Sequence, residues 1–120
     1  MDRALPTLYG LDNCDTCKKA RNWLVRHGVE HAFVDYREQR VAPETLKAWA
    51  ETLGWDALIN RSSRSWRELP PARRGPGSAA EWSLLIREHP ALVKRPVAVL
   101  PDGSVTLGFS DGLYKRLFAL

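Results

Sequence analysis

Residues 4–20 read ALPTLYGLDNCDTCKKA and set the order of the first two structural elements. The mostly apolar run 4–9 has the length of a short buried strand, and residues 10–13 break it with amino acids that favour turns. A helix is expected from Cys14 to the terminator Gly28, because apolar residues recur there at helical spacing: Cys17, Ala20 and Leu24, with Trp23 beside them. The stretch therefore predicts a strand, a tight turn and a helix.

The segment that follows completes a strand–helix–strand unit. Residues 31–36 alternate between polar and apolar side chains, which is typical of a half-buried strand. Two consecutive strands joined by a helix lie parallel in one sheet, and the crossover between them is nearly always right-handed. The first third of the chain therefore predicts a βαβ unit.

The middle of the chain predicts a helical insertion over roughly residues 43–90. Pro43, at a first-turn position, opens an amphipathic helix that ends at Gly54. The apolar stripe of this helix holds Leu46, Trp49, Ala50 and Leu53. A further short helical turn is expected at residues 56–60.

The second half of the insertion contains a loop and another helix. Residues 61–77 are rich in arginine, serine, proline and glycine, a composition that predicts a loop. Ser78 and Glu81 form a capping-box pattern ahead of the apolar residues Trp82, Leu85 and Ile86. A helix should therefore run to about His89, ahead of Pro90.

The last quarter of the chain predicts a β-hairpin and a final helix. Residues 95–100 form an apolar strand opened by a proline, residues 101–104 a tight turn, and residues 105–107 the partner strand. Ser110 can cap a final helix that carries Leu113, Leu117 and Leu120. The order βαβ, helices, ββα predicts an α/β fold: one domain, residues 1–120, with helices around a small mixed sheet.

The composition of the 120-residue chain is that of an ordinary globular protein, with 44% hydrophobic and 27% charged residues. A chain of this kind can bury a core, so a wholly disordered protein is excluded. The sequence has no run of about 18 uncharged apolar residues that could span a membrane. Residues 1–6 lack the apolar segment of a secretory signal. These features predict a cytoplasmic protein that does not contact membranes.

One local stretch, residues 61–74, carries the whole formal net charge of +4. It contains a single acid, Glu68, and five arginines: Arg61, Arg64, Arg67, Arg73 and Arg74. A nucleic-acid-binding protein usually spreads its basic residues along a face the size of a groove, so nucleic acid is not the predicted partner. The cluster fits a small anion or an acidic patch on a partner, and a solvated arginine-rich loop is the alternative.

Both cysteines, Cys14 and Cys17, lie where the first strand turns into the first helix. Unpaired backbone N–H groups and the helix dipole at such a terminus favour a thiolate over a thiol. Cys14 is therefore the predicted reactive cysteine. Cys17 lies one turn later, close enough to attack a mixed disulfide on Cys14, with its own sulfur facing the helix flank or the core.

Two other roles fit a C-x-x-C pair. Half of a zinc site would need further ligands, but the chain has no second cysteine pair and its three histidines lack ligand spacing, so no metal is predicted. Two inert buried thiols are the stronger alternative, because free cysteine packs as a small hydrophobic residue. The position at a strand-to-helix turn favours a reactive site.

Motifs spread over nearly the whole chain point to one family. They are Tyr9-Gly10, Asn13-Cys14-Asp15-Thr16-Cys17-Lys18-Lys19-Ala20, Asp35-Tyr36-Arg37, Leu58-Ile59-Asn60-Arg61, Trp66-Arg67-Glu68-Leu69, His89-Pro90, Leu92-Val93-Lys94-Arg95-Pro96-Val97 and Gly108-Phe109-Ser110. Together they resemble the arsenate reductase (ArsC-like) family, which also contains Spx-type transcriptional regulators and glutathione-dependent thiol reductases. The resemblance implies a thioredoxin-like fold with a helical insertion, in which Cys14 is the redox nucleophile.

The resemblance also assigns candidate arginines, since three of them assist the cysteine of the arsenate reductases. Arg95 matches the second, and either Arg61 or Arg64 matches the first, because the register leaves both open. The third is missing. In its place stands Gly108-Phe109-Ser110, a pattern that resembles the glutathione-dependent thiol reductase branch.

The peptide at Pro96 is a further candidate for substrate binding, together with Asn13 beside Cys14. In the resembled fold this proline begins, with a cis peptide bond, the strand that faces the cysteine, and its backbone can pair with an extended thiol peptide. The guanidinium of Arg95 suits a carboxylate, sulfonate or oxyanion, which it binds with two hydrogen bonds, and it also stabilises a neighbouring thiolate. A surface charge at a strand edge is the alternative for Arg95.

The tryptophans divide into core residues and one open case. Trp23, Trp49 and Trp82 fall on or beside apolar helical stripes, which predicts core packing. Trp66 lies inside the arginine cluster, where it either anchors the loop or stacks on a bound ligand.

These residues predict a thiol–disulfide oxidoreductase that acts on glutathione or a glutathionylated substrate. Cys14 attacks a disulfide, Cys17 or glutathione resolves the adduct, and Arg95 with Arg61 or Arg64 holds the anionic end of the substrate. No bound cofactor is predicted: glutathione is the expected co-substrate, and glutaredoxin is a candidate partner. Two alternatives stay open, namely an Spx-type redox sensor that binds RNA polymerase and an arsenate reductase that uses glutathione and glutaredoxin.

Overall fold

The computed structural model describes residues 4–119, and these fall into two compact units. One unit combines the residues up to Gln39 with those from Arg95 onward, and the other is Arg40–Lys94. The first unit holds the β-sheet and both cysteines. None of the helices in the described part of the chain is long and apolar enough to cross a membrane.

The first unit is built on a sheet of four strands among the described residues, in the order β2-β1-β3-β4. The strands are β1 (Thr7–Gly10), β2 (Ala32–Asp35), β3 (Val97–Val99) and β4 (Val105–Leu107). β1 and β2 are parallel, whereas β3 runs antiparallel to both β1 and β4. The carboxyl ends of β1 and β2 therefore lie at the same end of the sheet as the amino end of β3.

Three of the strands differ in extent from the predicted ones, and β2 is one residue shorter than predicted at each end. β1 begins at Thr7, later than predicted, and it retains Gly10, which was expected in the turn. Gly10 stays in the strand because it pairs with Asp35 of β2. β3 is shorter than predicted at both ends. At its start, Pro96 has no N–H to offer to a sheet, although its carbonyl accepts the N–H of Gly108 at 2.9 Å.

The helices in chain order are α1 (Asp15–Arg26), α2 (Pro43–Leu53), α3 (Trp55–Leu58), α4 (Arg64–Arg67), α5 (Ala79–Glu88) and α6 (Asp111–Leu117). The first and last belong to the unit that contains the sheet. The hydroxyl of Ser110 accepts the N–H of Leu113 at 3.1 Å, which confirms the predicted cap of the final helix. Leu120, predicted for the same helix, lies outside the described residues.

α1, α6 and the sheet share one hydrophobic core, whose buried members are Leu8, Ala20, Trp23, Leu24, Ala98 and Tyr114. The indole N–H of Trp23 donates to the carboxylate of Asp111 at 2.7 Å and so connects α1 to the start of α6. The ring of Phe109 packs edge-on against Tyr114, with 4.7 Å between the ring centroids. Burying one large apolar side chain in this way contributes roughly 1.5–3 kcal/mol.

The second unit is helical. α2 has the predicted bounds, and the residues of its stripe that are buried are Leu46, Trp49 and Ala50. The prediction of a continuous loop over residues 61–77 is wrong, because this stretch contains α4 and a 3₁₀ turn at Pro71–Arg73. α4 forms because Ser63 caps it, with the Ser63 hydroxyl accepting the N–H of Trp66 at 3.1 Å.

Three tryptophans of the second unit, Trp55, Trp66 and Trp82, stack on one another. Trp49 and Trp82 are buried, as is Trp23 in the first unit, so the three predicted core tryptophans are confirmed. Trp66 stacks on Trp82 with a centroid distance of 6.2 Å, and Trp55 stacks on the same ring at 5.5 Å. Trp66 therefore anchors α4 and the stretch around it, and anchoring is one of the two roles that the sequence leaves open.

Candidate active site

β1 is followed by a short loop that places Cys14 at the start of α1. Cys14 is the N-cap residue, with an extended backbone (φ −95°, ψ 122°), and its carbonyl accepts the N–H of Lys18 at 2.9 Å. Its own N–H donates to the carbonyl of Leu11 at 3.3 Å and closes the loop. The half-buried thiol of Cys14 thus lies where the first N–H groups of a helix have no partner within the helix.

The surroundings of Cys14 hold the pKa of its thiol below the ordinary value for cysteine. Partial burial acts to raise this pKa, but four contacts outweigh it. In order of size these are a hydrogen bond from the N–H of Cys17, one from the thiol of Cys17, the positive charge of Arg95 and the N–H of Thr16. Because the thiolate is the nucleophilic form of cysteine, these contacts favour reaction at Cys14 near neutral pH.

Cys17 has the opposite environment. Its side chain is 0% exposed, and its sulfur lies against Gly10, where an added Cβ atom would be 2.5 Å from Cys17 Sγ. Burial, opposed by a backbone hydrogen bond from Leu11 and reinforced by the sulfur of Cys14, raises the pKa of Cys17 to about 12. Cys17 therefore stays protonated at neutral pH. Its sulfur faces the core, which is one of the two positions that the sequence leaves open for it.

The two cysteines are free thiols within hydrogen-bonding reach of each other. The S–H group of Cys17 donates to the sulfur of Cys14 and helps to stabilise negative charge there. If Cys14 carried a mixed disulfide, Cys17 would be next to it, but attack would first require Cys17 to lose its proton. The arrangement supports one nucleophilic thiol backed by a second, less reactive one.

Arg95 and Pro96 lie at the amino end of β3, next to the cysteine pair. The peptide bond between them is cis, as the family resemblance implies. Arg95 is half-buried and Pro96 is buried. The charge of Arg95 acts on both thiols, in the direction that lowers the pKa of each. Arg95 is therefore not an isolated surface charge.

Asp35, the last residue of β2, and Arg37, two residues later, hold the loop that precedes Cys14. Arg37 Nη2 donates to Asn13 Oδ1 at 3.0 Å, and the Asp35 carboxylate accepts the N–H of Asp12 at 3.0 Å and that of Arg37 at 2.9 Å. Burial acts to raise the pKa of Asp35, but the N–H groups of Arg37 and Asp12 outweigh it and lower the pKa. Sequence reasoning assigned these two residues no role, although they lie in the Asp35-Tyr36-Arg37 motif.

Tyr36 is the other residue that sequence reasoning missed. Its side chain is only 4% exposed, and its N–H donates to the carbonyl of Gly10 at 3.1 Å, which extends the pairing of β1 and β2. Burial raises the pKa of the Tyr36 hydroxyl, although the charge of Arg95 and a hydrogen bond from its guanidinium oppose this effect. The neutral hydroxyl of Tyr36 is thus in contact with the cation beside the two thiols.

The remaining predicted anion ligands, Arg61 and Arg64, belong to the second unit and pair with acids there. Arg61 bonds to Asp56, and its guanidinium lies over the ring of Trp66, 5.4 Å from the centroid. Arg64 Nε donates to Glu68 Oε1 at 2.7 Å. Both ion pairs are exposed, so either guanidinium can exchange its partner for another anion at small cost. A role for Arg61 or Arg64 in substrate binding stays a prediction.

The arginine-rich stretch, residues 61–74, is less cationic in the structure than its sequence indicates. Arg73 donates two hydrogen bonds to Glu88, both of 3.0 Å, and Arg74 donates to two backbone carbonyls. Glu88 and Asp56 come from outside the stretch, and they neutralise part of its charge. These pairings favour the sequence-based alternative of a solvated arginine-rich stretch, although part of the stretch is helical and not loop.

We expect Cys14 to be alkylated by iodoacetamide at pH 7 at least about 100-fold faster than Cys17, because only Cys14 combines exposure with a lowered pKa. Peptide mass spectrometry at successive times measures both rates in one sample. The control is the same protein in denaturant, where the two rates should converge. Equal rates in the folded protein would contradict the assignment of Cys14 as the more reactive thiol.

Comparison with known proteins gives consistent matches over most of the chain. A model of the ArsC family matches residues 9–117. An uncharacterized protein of Haemophilus influenzae is 37% identical over 113 residues, which cover 94% of this chain and 98% of that protein. The global transcriptional regulator Spx of Bacillus subtilis is 24% identical over 112 residues, which cover 92% of this chain and 84% of that protein.

A solved structure is similar over the same length. The solution structure of an arsenate reductase (ArsC) related protein from Brucella melitensis is 38% identical, covers 100% of this chain and 99% of its own, and gives a TM-score of 0.75. Together with the strand order and the βαβ…ββα succession of elements, this similarity confirms the predicted thioredoxin-like fold with a helical insertion.

Proposed function

The chain belongs to the ArsC family, and on that basis we propose that it is a thiol–disulfide oxidoreductase whose nucleophile is Cys14. One observation carries the proposal: a half-buried thiol with a lowered pKa at the start of a helix, in contact with a protonated thiol and near a guanidinium. A thiolate stabilised in this way suits attack on a disulfide. The proposed substrate is a glutathionylated protein or peptide, with glutathione as the reductant.

The reaction begins when the Cys14 thiolate attacks the glutathione sulfur of the mixed disulfide. The substrate's S–S bond breaks, its sulfur leaves as a thiolate that takes a proton from water, and glutathione stays attached to Cys14. A second glutathione thiolate then attacks the attached glutathione sulfur, which releases glutathione disulfide and restores the Cys14 thiolate. Both electrons come from glutathione, so the cycle needs no bound cofactor.

The other candidate residues support this cycle. Arg95 stabilises the thiolate and binds a carboxylate of glutathione with two hydrogen bonds. A part for Arg61 or Arg64 in holding the anionic end of the substrate stays a prediction. Asn13 and Pro96 contact the extended thiol peptide. Cys17 offers a second, slower route for resolving the adduct, and glutaredoxin is a partner that could reduce the resulting disulfide. The proposal places the protein in the cytoplasm, where glutathione keeps thiols reduced.

Arsenate reduction is the less favoured activity because of the segment that replaces the third arginine of the family. Gly108 has a φ of 78°, a left-handed conformation that residues with a side chain adopt at a cost of roughly 1–2 kcal/mol. An arginine at this position would incur that cost, so a substitution that supplies the missing cation would also lower the stability of the protein. An oxyanion at Cys14 would be held by fewer positive charges than in the arsenate reductases, and we expect arsenate to react slowly or not at all.

A redox sensor of the Spx type is the second candidate, and the closeness of the two thiols favours it. In a sensor of this type a disulfide between Cys14 and Cys17 is the signal and RNA polymerase is the partner. Incubation of the reduced and the oxidised protein with purified RNA polymerase tests it. Stoichiometric binding that depends on the redox state would support the sensor.

The proposed activity predicts that the protein accelerates the reduction of a glutathionylated peptide by glutathione. Glutathione reductase and NADPH report the glutathione disulfide formed, and mass spectrometry of quenched samples should show glutathione on Cys14 and none on Cys17. Protein with alkylated Cys14 is the matched control and should be inactive. The proposal fails if the peptide is reduced no faster than in buffer and oxidised glutathione leaves Cys14 unmodified.

A further inference from the structure

Tyr36 lies at the end of the sheet where the site residues meet. The carboxyl ends of β1 and β2 and the amino end of β3 are neighbours there, because β2 is parallel and β3 antiparallel to β1. Tyr36 directly follows β2, Arg95 lies just ahead of β3, and Cys14 follows β1 by a short loop. Topology alone therefore brings these three residues close together, although long stretches of chain separate them.

The backbone of Tyr36 is hydrogen-bonded to Gly10 of β1, the residue against which the sulfur of Cys17 packs. Its N–H donates to the carbonyl of Gly10 at 3.1 Å, and the sulfur of Cys17 occupies the space that a side chain at position 10 would need. With a side chain only 4% exposed, Tyr36 has little freedom to move. The position of its hydroxyl is therefore set by the sheet.

The hydroxyl of Tyr36 lies within hydrogen-bonding reach of the Arg95 guanidinium, whose charge and N–H groups act to lower the pKa of the hydroxyl. The long, flexible side chain of an arginine loses considerable rotamer freedom when its guanidinium is held in one place. A buried hydroxyl that accepts one N–H of the guanidinium reduces the number of positions it can take, and it leaves the other donors of the fork for an anion. The charge of Arg95 already acts on the Cys14 thiol, in the direction that lowers its pKa.

We propose that Tyr36 is a positioning residue, whose buried hydroxyl holds the Arg95 guanidinium beside the Cys14–Cys17 pair. The inference rests on the proposed function only in treating Cys14 as the reacting thiol. The groups that act on Cys14 are Cys17, Arg95 and the N–H of Thr16, and those that act on the Tyr36 hydroxyl are Arg95, Cys17 and Cys14. Loss of the hydroxyl leaves Arg95 charged but less well placed, so it weakens the stabilisation of the thiolate.

The test is the pH dependence of Cys14 alkylation in Tyr36→Phe, a change that keeps the ring and removes one oxygen. The midpoint of the profile should move to higher pH, alkylation below the midpoint should slow by about three- to tenfold, and the plateau at high pH should be unchanged. A defect confined to folding would instead lower the unfolding midpoint and speed the alkylation of the buried Cys17 as well. Because alkylation requires no glutathione, this result is independent of whether the protein reduces glutathionylated peptides.

Tyr114→Phe is the matched control. Tyr114 is also buried, but its hydroxyl has no hydrogen-bond partner among residues 4–119, so removal of the hydroxyl should leave the midpoint unchanged.

Arg95→Gln provides a second experiment. This change should itself raise the midpoint of Cys14 alkylation, and adding Tyr36→Phe to it should cause no further shift. Arg95→Lys, which keeps the charge but loses the fork, should shift the midpoint in the same direction as Tyr36→Phe. A wild-type profile for Tyr36→Phe, or an equal shift from Tyr36→Phe with Arg95 already replaced, would overturn the proposal.

Discussion

The Cys14→Ser variant is expected to reduce glutathionylated peptides at the background rate, a loss of about a thousandfold or more. A serine hydroxyl is not ionised near neutral pH and cannot form the disulfide that carries glutathione between substrate and reductant. Cys17 cannot take over, because it is 0% exposed and its pKa is raised to about 12. The initial rate with a glutathionylated peptide measures the effect, and an unchanged unfolding midpoint shows that the variant is folded.

Cys17→Ser is the matched comparison for Cys14→Ser. It should retain turnover within about threefold of the wild type, because glutathione in solution can still resolve the adduct. When glutathione is made limiting, the adduct on Cys14 should accumulate, because the intramolecular route is gone, and mass spectrometry of quenched samples would show it. The opposite result would be a stable Cys14–Cys17 disulfide that switches binding of a partner, together with no turnover of any glutathione mixed disulfide. That result would establish a sensor instead of a reductase.

Gly10→Ala is expected to lower the free energy of unfolding by about 1–3 kcal/mol, because the new methyl group would overlap the sulfur of Cys17. The effect is steric, since Gly10 has none of the positive φ values found at other glycines of the chain. The sulfur is enclosed in the core, so moving it disturbs either the packing or its hydrogen bond to Cys14. Urea unfolding measures the loss of stability.

A double-mutant cycle makes the cause of the Gly10→Ala effect explicit. In a Cys17→Ala background the methyl group gains the space left by the sulfur, and Gly10→Ala should cost at least about 1 kcal/mol less than in the wild type. Gly75→Ala is the control, because a Cβ atom there meets nothing within 4 Å and its φ is not positive. Equal costs for Gly10→Ala in both backgrounds would show that the sulfur is not the obstacle.

Features determined by neighbouring residues could be predicted from the sequence. α2 has the predicted bounds because Pro43, the apolar stripe and Gly54 all lie within the helix or next to it. The same holds for the cap at Ser110 and for the position of Cys14 at the start of α1, which follow from short-range patterns. The stripe of α1 also predicts that Cys17 faces inward.

Features that depend on contacts between distant parts of the chain could not be predicted. Nothing near Tyr36 indicates that its hydroxyl meets Arg95, because that contact depends on how β2 and β3 are placed around β1. Likewise, the residues of the arginine-rich stretch indicate a net charge of +4, but Glu88 of α5 neutralises part of this charge. Glycine favours turns, so the sequence predicts Gly10 in the turn, but its pairing with Asp35 retains it in β1.

The segment Gly108-Phe109-Ser110 also bears on how substrate preference can evolve in this family. Each of its residues has a structural role, since Gly108 adopts a left-handed backbone, Phe109 packs on Tyr114, and Ser110 caps α6. An arginine at any of the three would remove one of these contributions, at roughly 1 kcal/mol for the cap and 1–2 kcal/mol for the backbone. A descendant of this protein could therefore not acquire the missing cation in one neutral mutational step. Unless compensating changes elsewhere come first, every route to an arginine in this segment passes through a less stable protein.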